Sequence, residues 1–382
     1  MTFTNQRPIR ILQVVGGMVR GGIETWLMNV LRRIDRDRFQ MDFLVSTDQP
    51  CDYDDEVRAL GSKIIPCLYP SKPWLFARNF RQILQDYGPY DVVHSHIHHY
   101  SGYILRIAKQ VRVPVRIAHS HLDASFLEAK AGLFRRLYLA LMKRWIARYS
   151  THGFGASRKA AVDLFGADWE KDSRWQIFFC GVNFTPFQNF ADLTSVRTEF
   201  GISTDEIVVG HVGRFESQKN HHFLLEIASE LVKQEQKIHF LLVGDGPLRP
   251  EIEQKVAQMG LTEYITFTGS RPDVPRLMLG AMDVFLFPSL YEGLGLVLIE
   301  AQAAGLPCIF SDVVPEEANV VKPLLHRISL TQPVSIWAAK LMEQSRKKIS
   351  TIESISVLEN SQFDLKKGVT ELELHYLKFI NT

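Results

Sequence analysis

Two glutamates, two cations and a run of histidines are the residues whose types and spacing could do chemistry. Glu292 and Glu300 stand with seven residues between them. At about 100° per residue, that spacing would leave them roughly 80° apart on a single helix. Glu292 precedes the helix, in a loop with Gly293 and Gly295, so the loop can turn both carboxylates toward one pocket. Leu298, Ile299 and Ala301 surround Glu300 in sequence and point to a partly buried helix. A carboxylate there needs a partner; a glutamate that merely solvates a helix face fits those neighbours less well. Arg214 and Lys219 lie together in the loop GRFESQKN. A forked guanidinium and a mobile ammonium suit a diphosphate, and their sharing of one loop argues against two unrelated surface cations.

His94, His96, His98, His99, His119 and His121 are dense for one stretch. The H-x-H-x-H-H spacing is that of some metal-dependent hydrolases, but those sites need an aspartate and none lies between His94 and His99. On a strand, His94 and His96 share a face. For His98 and His99 the plainer reading, imidazoles hydrogen-bonded at a strand end, is preferred. No metal is expected, and the hydrolase is kept as an alternative.

These residues need strands and helix starts to hold them. Val284 to Phe287 reads as a buried strand, Leu296 to Ala304 as a helix, and Gly305 and Pro307 as its stop. The intervening loop amides, from Gly293, Leu294, Gly295 and Leu296, favour an anion at the helix start. Near the N-terminus, a strand at Ile9 to Val15 runs into Gly16, Gly17, Gly21 and Gly22, with a helix from about Ile23. A plain turn needs fewer glycines, and the spacing is not the dinucleotide G-x-G-x-x-G. Glu24 is read as support for the helix start. Strands at 41–45, 63–67, 91–96 and 113–118 alternate with helices at 55–60, 75–86 and 101–110, which argues for a parallel sheet. The same alternation resumes at Ile207 to Val212, Ile238 to Val243 and Ile265 to Thr268. It closes with helices at 334–347 and 368–380, while 350–365 shows no usable pattern.

The 382 residues exceed one ordinary core, so two domains are expected. The boundaries are placed at 1–183 and 184–365, with a linker near Asn183 to Asp192. The helix of 366–382 is free to pack back on the first domain. A net charge of +2 gives no case for nucleic acid. Four scattered cysteines without a C-x-x-C fit a reducing cytoplasm, and no signal peptide or membrane span is read. Lys130 to Tyr149 is a basic amphipathic helix, with Arg135, Arg136, Lys143, Arg144 and Arg148 among its cations. Such a helix either lies on an anionic membrane surface or shows a solvated positive face. The expected location is cytoplasmic, peripheral on the inner face of the membrane if the first holds.

The stretch PSLYEGLGLVLIEAQAAGLP, with its E-x7-E, and the G-R-x4-K of Gly213 to Lys219 resemble the retaining nucleotide-sugar glycosyltransferases of family 4. The resemblance runs from the glycine loop to about Glu317. It implies the GT-B fold, two Rossmann-like α/β domains facing across a cleft. It implies a nucleotide-sugar donor (a UDP-sugar first), a glycan or lipid-linked acceptor, and no cofactor. By the resemblance, Glu292, His119, Arg214 and Lys219 are catalytic, with His121 as second choice to His119. Gly16, Gly17, Gly21, Gly22, Arg214, Lys219, Gly293, Leu294, Gly295, Leu296 and Glu300 bind the donor. Glu300 would hold the ribose, Glu292 the sugar, and Phe267 to Gly269 with Arg271 would pass near the base. FFCGVNF at 178–184 departs from the family's Asn-Gly-Val-Asp. Extracellular or capsular polysaccharide assembly is the implied setting. A sugar-nucleotide-binding partner without catalysis is the third reading.

Overall fold

The computed structural model describes residues 7–125, 128, 131–188, 193, 195–235 and 237–381. The chain divides into two units, residues 1–181 with 365–382, and residues 182–364. Part of the expected linker, residues 189–192, lies outside the described residues.

The first unit is built on seven strands. They are β1 (Ile9–Val14), β2 (Phe39–Val45), β3 (Ile64–Pro66), β4 (Val92–Ser95), β5 (Val115–Ser120), β6 (His152–Gly155) and β7 (Trp175–Ile177). They pair in the order β3-β2-β1-β4-β5-β6-β7, every pair parallel. The order reverses direction between β1 and β4, the kind of point where open α/β sheets hold ligands at their carboxyl ends. Helices cover both faces, so the central strands are buried along their length rather than on alternate residues: Ile11, Leu12, Gln13 and Val14 are all buried. The helix Leu365–Ile380 belongs to this unit and packs against the helix Gly22–Arg33.

The second unit repeats the plan with six strands. These are β8 (Ile207–Val212), β9 (Ile238–Val243), β10 (Ile265–Gly269), β11 (Val284–Phe287), β12 (Cys308–Ser311) and β13 (Leu325–Ile328). Their order is β10-β9-β8-β11-β12-β13, again parallel and again reversing beside the first strand. Its core joins Phe240, Leu242, Val284 and Leu286 of the sheet to Leu224, Leu231 and Trp337 of the covering helices.

Several elements lie beyond the sequence reading. A helix at Thr351–Glu359 fills the stretch that showed no usable pattern, burying Ser354, Ile355 and Leu358 on one face. The edge strands β7 and β13 are only three and four residues long. The basic helix runs Leu133–Tyr149, and Lys130 lies outside the described residues. Among the described residues, no helix is long and apolar enough to cross a membrane.

Candidate functional site

Two loops of the second unit are stitched together by consecutive residues. The loop after β8 carries Gln218, Lys219 and Asn220; the loop after β11 carries Pro288 to Glu292. Leu290 N–H donates to the Gln218 carbonyl at 2.8 Å. Gln218 Nε2 donates to the Tyr291 carbonyl at 3.1 Å, and Asn220 Nδ2 to the Pro288 carbonyl at 3.1 Å. Between them, Lys219 Nζ donates to Glu292 Oε1 at 2.6 Å. Asn220 sits at φ 56°, a left-handed position that asparagine tolerates. The Lys219 ammonium also lies 4.7 Å from the centre of the Phe287 ring. Gly213 makes room for this cation: a Cβ there would meet the Lys219 stem at 3.0 Å and the His211 ring at 3.2 Å.

Next to this pair, the chain turns into the helix Leu296–Ala303. Gly293, Leu294 and Gly295 are buried. Gly295 is the helix cap at φ 85°, where a side chain would strain the backbone and crowd Phe287. The amides of Gly293, Leu294, Gly295 and Leu296 have no protein acceptor among the described residues. They form an open set of donors at a helix start, fit for an anion. Glu300 lies within the same helix. Its carboxylate has no hydrogen-bond or ion-pair partner among the described residues. Some of the residue remains exposed, yet the protein around it pushes the carboxyl up to about 7. Arg214 is the open cation, 54% exposed and 3.1 Å from Glu216. Arg271 is committed elsewhere, 2.8 Å from Asp273 and 2.9 Å from Glu199.

In the first unit, the glycine loop leaves β1 and enters the helix Gly22–Arg33. A Cβ at Gly16 would meet open space, while one at Gly17 would touch Cys51 and Thr47. Gly21 caps the helix, and the Glu24 carboxylate folds back onto it, in the space a side chain would need. That is the helix-start support expected of Glu24.

The histidines separate into two groups. His94 and His96, at the end of β4, meet His119 and His121, at the end of β5. His94 Nε2 lies 3.2 Å from His119 Nδ1, and His96 Nδ1 lies 2.8 Å from His121 Nε2. Burial holds all four neutral at pH 7: it pushes His121 down to about 3 and the other three well below the usual histidine value. His119 is fully enclosed, edge-on to Trp26, Phe154 and Phe178, whereas His121 keeps some exposure. Of the two, only His121 can meet a solvent-borne ligand without the core opening. His98 and His99 form the second group. The aspartate absent from the 94–99 spacing arrives from another helix: Asp163 Oδ2 is 2.9 Å from His98 Nε2. Glu128 is 3.0 Å from His99, and Lys143 bridges Glu128 and Asp163 at 3.2 and 3.6 Å. No local motif points to Asp163, nor to Gln13, Trp26, Cys180 and Tyr376 around the first group, because each is distant in the chain.

Family models match most of the chain. "Glycosyltransferase Family 4" covers residues 20–182 and "Glycosyl transferases group 1" covers 206–329. The putative glycosyltransferase EpsF of Bacillus subtilis (strain 168) is 38% identical over 341 residues, 87% of each chain. The chain belongs to the family-4 glycosyltransferases. A second relative of this glycosyltransferase is the capsular polysaccharide biosynthesis glycosyltransferase CapH of Staphylococcus aureus. It is 25% identical over 97% of this chain and 99% of CapH. Among solved structures, Anabaena HepE in complex with UDP and glucose superposes with a TM-score of 0.79. It covers 97% of this chain and 100% of HepE at 17% identity, a likeness of fold. The glycosyltransferase thus has the two Rossmann-like sheets of the GT-B fold.

Proposed function

We propose that this glycosyltransferase moves a sugar from a nucleotide-sugar, a UDP-sugar first, to a glycan or lipid-linked acceptor, with retention at the anomeric carbon. The observation that carries the proposal is the Lys219–Glu292 pair, held beside four open amides and the unpartnered Glu300. In this reading Lys219 and Arg214 neutralise the departing diphosphate, an electrostatic task. The amides of Gly293 to Leu296 hold phosphate or sugar oxygens. Glu300 accepts hydrogen bonds from the ribose, which supplies the partner its carboxylate lacks. Glu292 orients Lys219 and contacts the donor sugar. By the family resemblance the glycine loop of the first unit, open at Gly16, takes part in binding. His121 takes the sugar-contacting role first assigned to His119, because His119 is enclosed. The retaining course is implied by the family resemblance, and the metal-free reaction is inferred from the two Asp-x-Asp pairs, 35–37 and 52–54, falling in the first unit.

HepE is described with UDP and with UDP-glucose, and CapH is by name a capsular polysaccharide biosynthesis glycosyltransferase. These support a UDP-sugar and a place in extracellular or capsular polysaccharide assembly. The helix Leu133–Tyr149 adds an anionic lipid surface as partner, with Leu133, Phe134, Leu137 and Leu141 exposed beside Arg135, Arg136, Arg144 and Arg148. A thermal-shift screen against nucleoside diphosphates and nucleotide-sugars tests the donor class, since a ligand of the folded state raises the melting temperature. UDP and a UDP-sugar are expected to raise it; no shift with any nucleotide would sink the proposal. Binding without transfer to any acceptor would favour the non-catalytic partner instead.

A further inference from the structure

The paired imidazoles at the ends of β4 and β5 do not stand alone. His96 Nε2 lies 2.9 Å from Gln13 Oε1, and Gln13 Nε2 donates to the Tyr376 hydroxyl at 3.1 Å. That hydroxyl lies 2.8 Å from His94 Nδ1. Gln13 and Tyr376, 363 residues apart in sequence, thereby join the His96–His121 pair to the His94–His119 pair. At one end His121 Nδ1 faces the Cys180 thiol at 3.7 Å; at the other, His119 Nε2 has no partner among the described residues. Gln13, His94, His96, His119 and Tyr376 are all buried.

A neutral imidazole donates from one nitrogen and accepts at the other, so each contact dictates the next. The Gln13 carbonyl oxygen accepts from His96 Nε2–H. His96 Nδ1 must then accept from His121 Nε2–H, which leaves His121 Nδ1 as an acceptor. On the other side, the Gln13 amide donates to the Tyr376 oxygen, Tyr376 O–H donates to His94 Nδ1, and His94 Nε2–H donates to His119 Nδ1. No group in the series carries a charge, and no contact is left with two donors or two acceptors.

We propose that these six residues form one proton-ordered chain, in which Gln13 and Tyr376 are positioning residues that set which nitrogen of His121 and of His119 bears the proton. Ring-to-ring contact then requires all four imidazoles to be the same tautomer, Nε2–H. His121 Nδ1 is an acceptor, turned to the Cys180 thiol, and not a donor. The C-terminal helix reaches the site through one phenol. The chain does not rest on the function proposed above.

Long-range proton–nitrogen correlation spectra of the full-length protein, labelled with ¹⁵N-histidine at pH 7, read the tautomers directly. All four imidazoles are expected as locked Nε2–H forms, without the averaging of a free ring. Tyr376→Phe cuts the chain between Gln13 and His94. The His94 and His119 signals are then expected to move toward averaged tautomers, while His96 and His121 keep theirs. Gln13→Met is expected to release both pairs. A purely structural phenol would leave the tautomers unmoved, so unchanged His94 and His119 in Tyr376→Phe overturns the proposal. A mixed set of locked tautomers in the unmutated protein also overturns it, and that spectrum decides the matter if the variants do not fold. Stoichiometric zinc in the purified protein would overturn it as well, since the ring nitrogens would then face a metal. No nucleotide or sugar enters the experiment, so its failure is separate from failure of the proposed function.

Discussion

Lys219 and Glu292 come from different loops of one sheet and meet at 2.6 Å, with 14% and 6% of their side chains exposed. Removing one partner of so enclosed a pair strands the other's charge. Lys219→Ala is therefore expected to lower the melting temperature. It should also weaken UDP at least tenfold, since a hydrogen bond to a charged group contributes about 1.5–3 kcal/mol. Glu292→Gln keeps the shape and leaves the lysine with its full charge. It should hold or tighten UDP while slowing transfer strongly. Calorimetry with UDP and donor kinetics check both variants. Loss of UDP binding in Glu292→Gln with an unchanged rate would reverse the roles.

Glu300 makes stability depend on pH in a stated direction. Burial raises its carboxyl from 4.5 to about 7, so the folded state keeps a proton that the unfolded chain has released within that window. Stability therefore falls as pH rises from 4.5 to 7, and the whole cost stands above pH 7. At about 1.4 kcal/mol per pH unit, it is on the order of 3 kcal/mol. Glu300→Gln should remove the slope: more stable than the parent above neutrality, and equal to it near pH 4.5. Ribose hydroxyls that donate to the ionised carboxylate add a second effect. UDP binding at pH 6.5 should release more protons in the parent than in the variant, where only the UDP phosphate contributes, read by calorimetry in buffers of different ionisation enthalpy. Equal slopes for parent and variant would remove Glu300 from the account.

The two sheets were legible because fully buried strands such as Val284 to Phe287 leave continuous apolar runs bounded by Gly, Pro and Asp. The edge strand Leu325–Ile328 carries His326 and Arg327 between its apolar ends and is only partly buried, so no such run marks it. The helix Thr351–Glu359 buries a narrow stripe, Ser354, Ile355 and Leu358, too short for a periodic signal. The candidate site divides in the same way. Arg214, Lys219, Glu292 and Glu300 sit in local motifs. The groups around the histidines do not: Gln13, Cys180 and Tyr376 reach them only through tertiary packing. The preference for His119 over His121 could not be checked in sequence, because exposure at a strand end depends on what packs over it, here Trp26 and Phe178.

Transfer is expected to survive chelation. The two Asp-x-Asp pairs, Asp35 with Asp37 and Asp52 with Asp54, lie in the first unit. Asp52 is taken by Arg20 at 2.9 Å, and Asp54 lies 3.7 Å from Arg58. In the proposed function Arg214 and Lys219 carry the neutralising charge in their place. Rates with and without EDTA should agree within error. Activity abolished by EDTA and restored by Mn²⁺ would show that a cation is required.

The helix Leu133–Tyr149 separates membrane binding from mere solvation. Its inward face holds Leu139, Met142 and Ile146. Its outer face exposes Leu133, Phe134, Leu137 and Leu141, with Phe134 at 88%. Apolar side chains left in water next to Arg135, Arg136, Arg144 and Arg148 fit an anionic bilayer better than a solvated face. Each cation near such a surface contributes about 1 kcal/mol, screened by salt, and each buried apolar chain adds its transfer energy. Lys143 is excluded from the count because Glu128 and Asp163 hold it. The protein should sediment with phosphatidylglycerol vesicles at low salt and not with neutral phosphatidylcholine. Gln at Arg135, Arg144 and Arg148 should abolish the salt-sensitive part. Phe134→Ser with Leu137→Ser should weaken binding at every salt concentration, because the apolar contribution is not screened. Both side chains are mostly exposed, so the melting temperature should hold. Equal recovery of the parent with and without anionic vesicles at low salt would return the helix to the solvated-face reading.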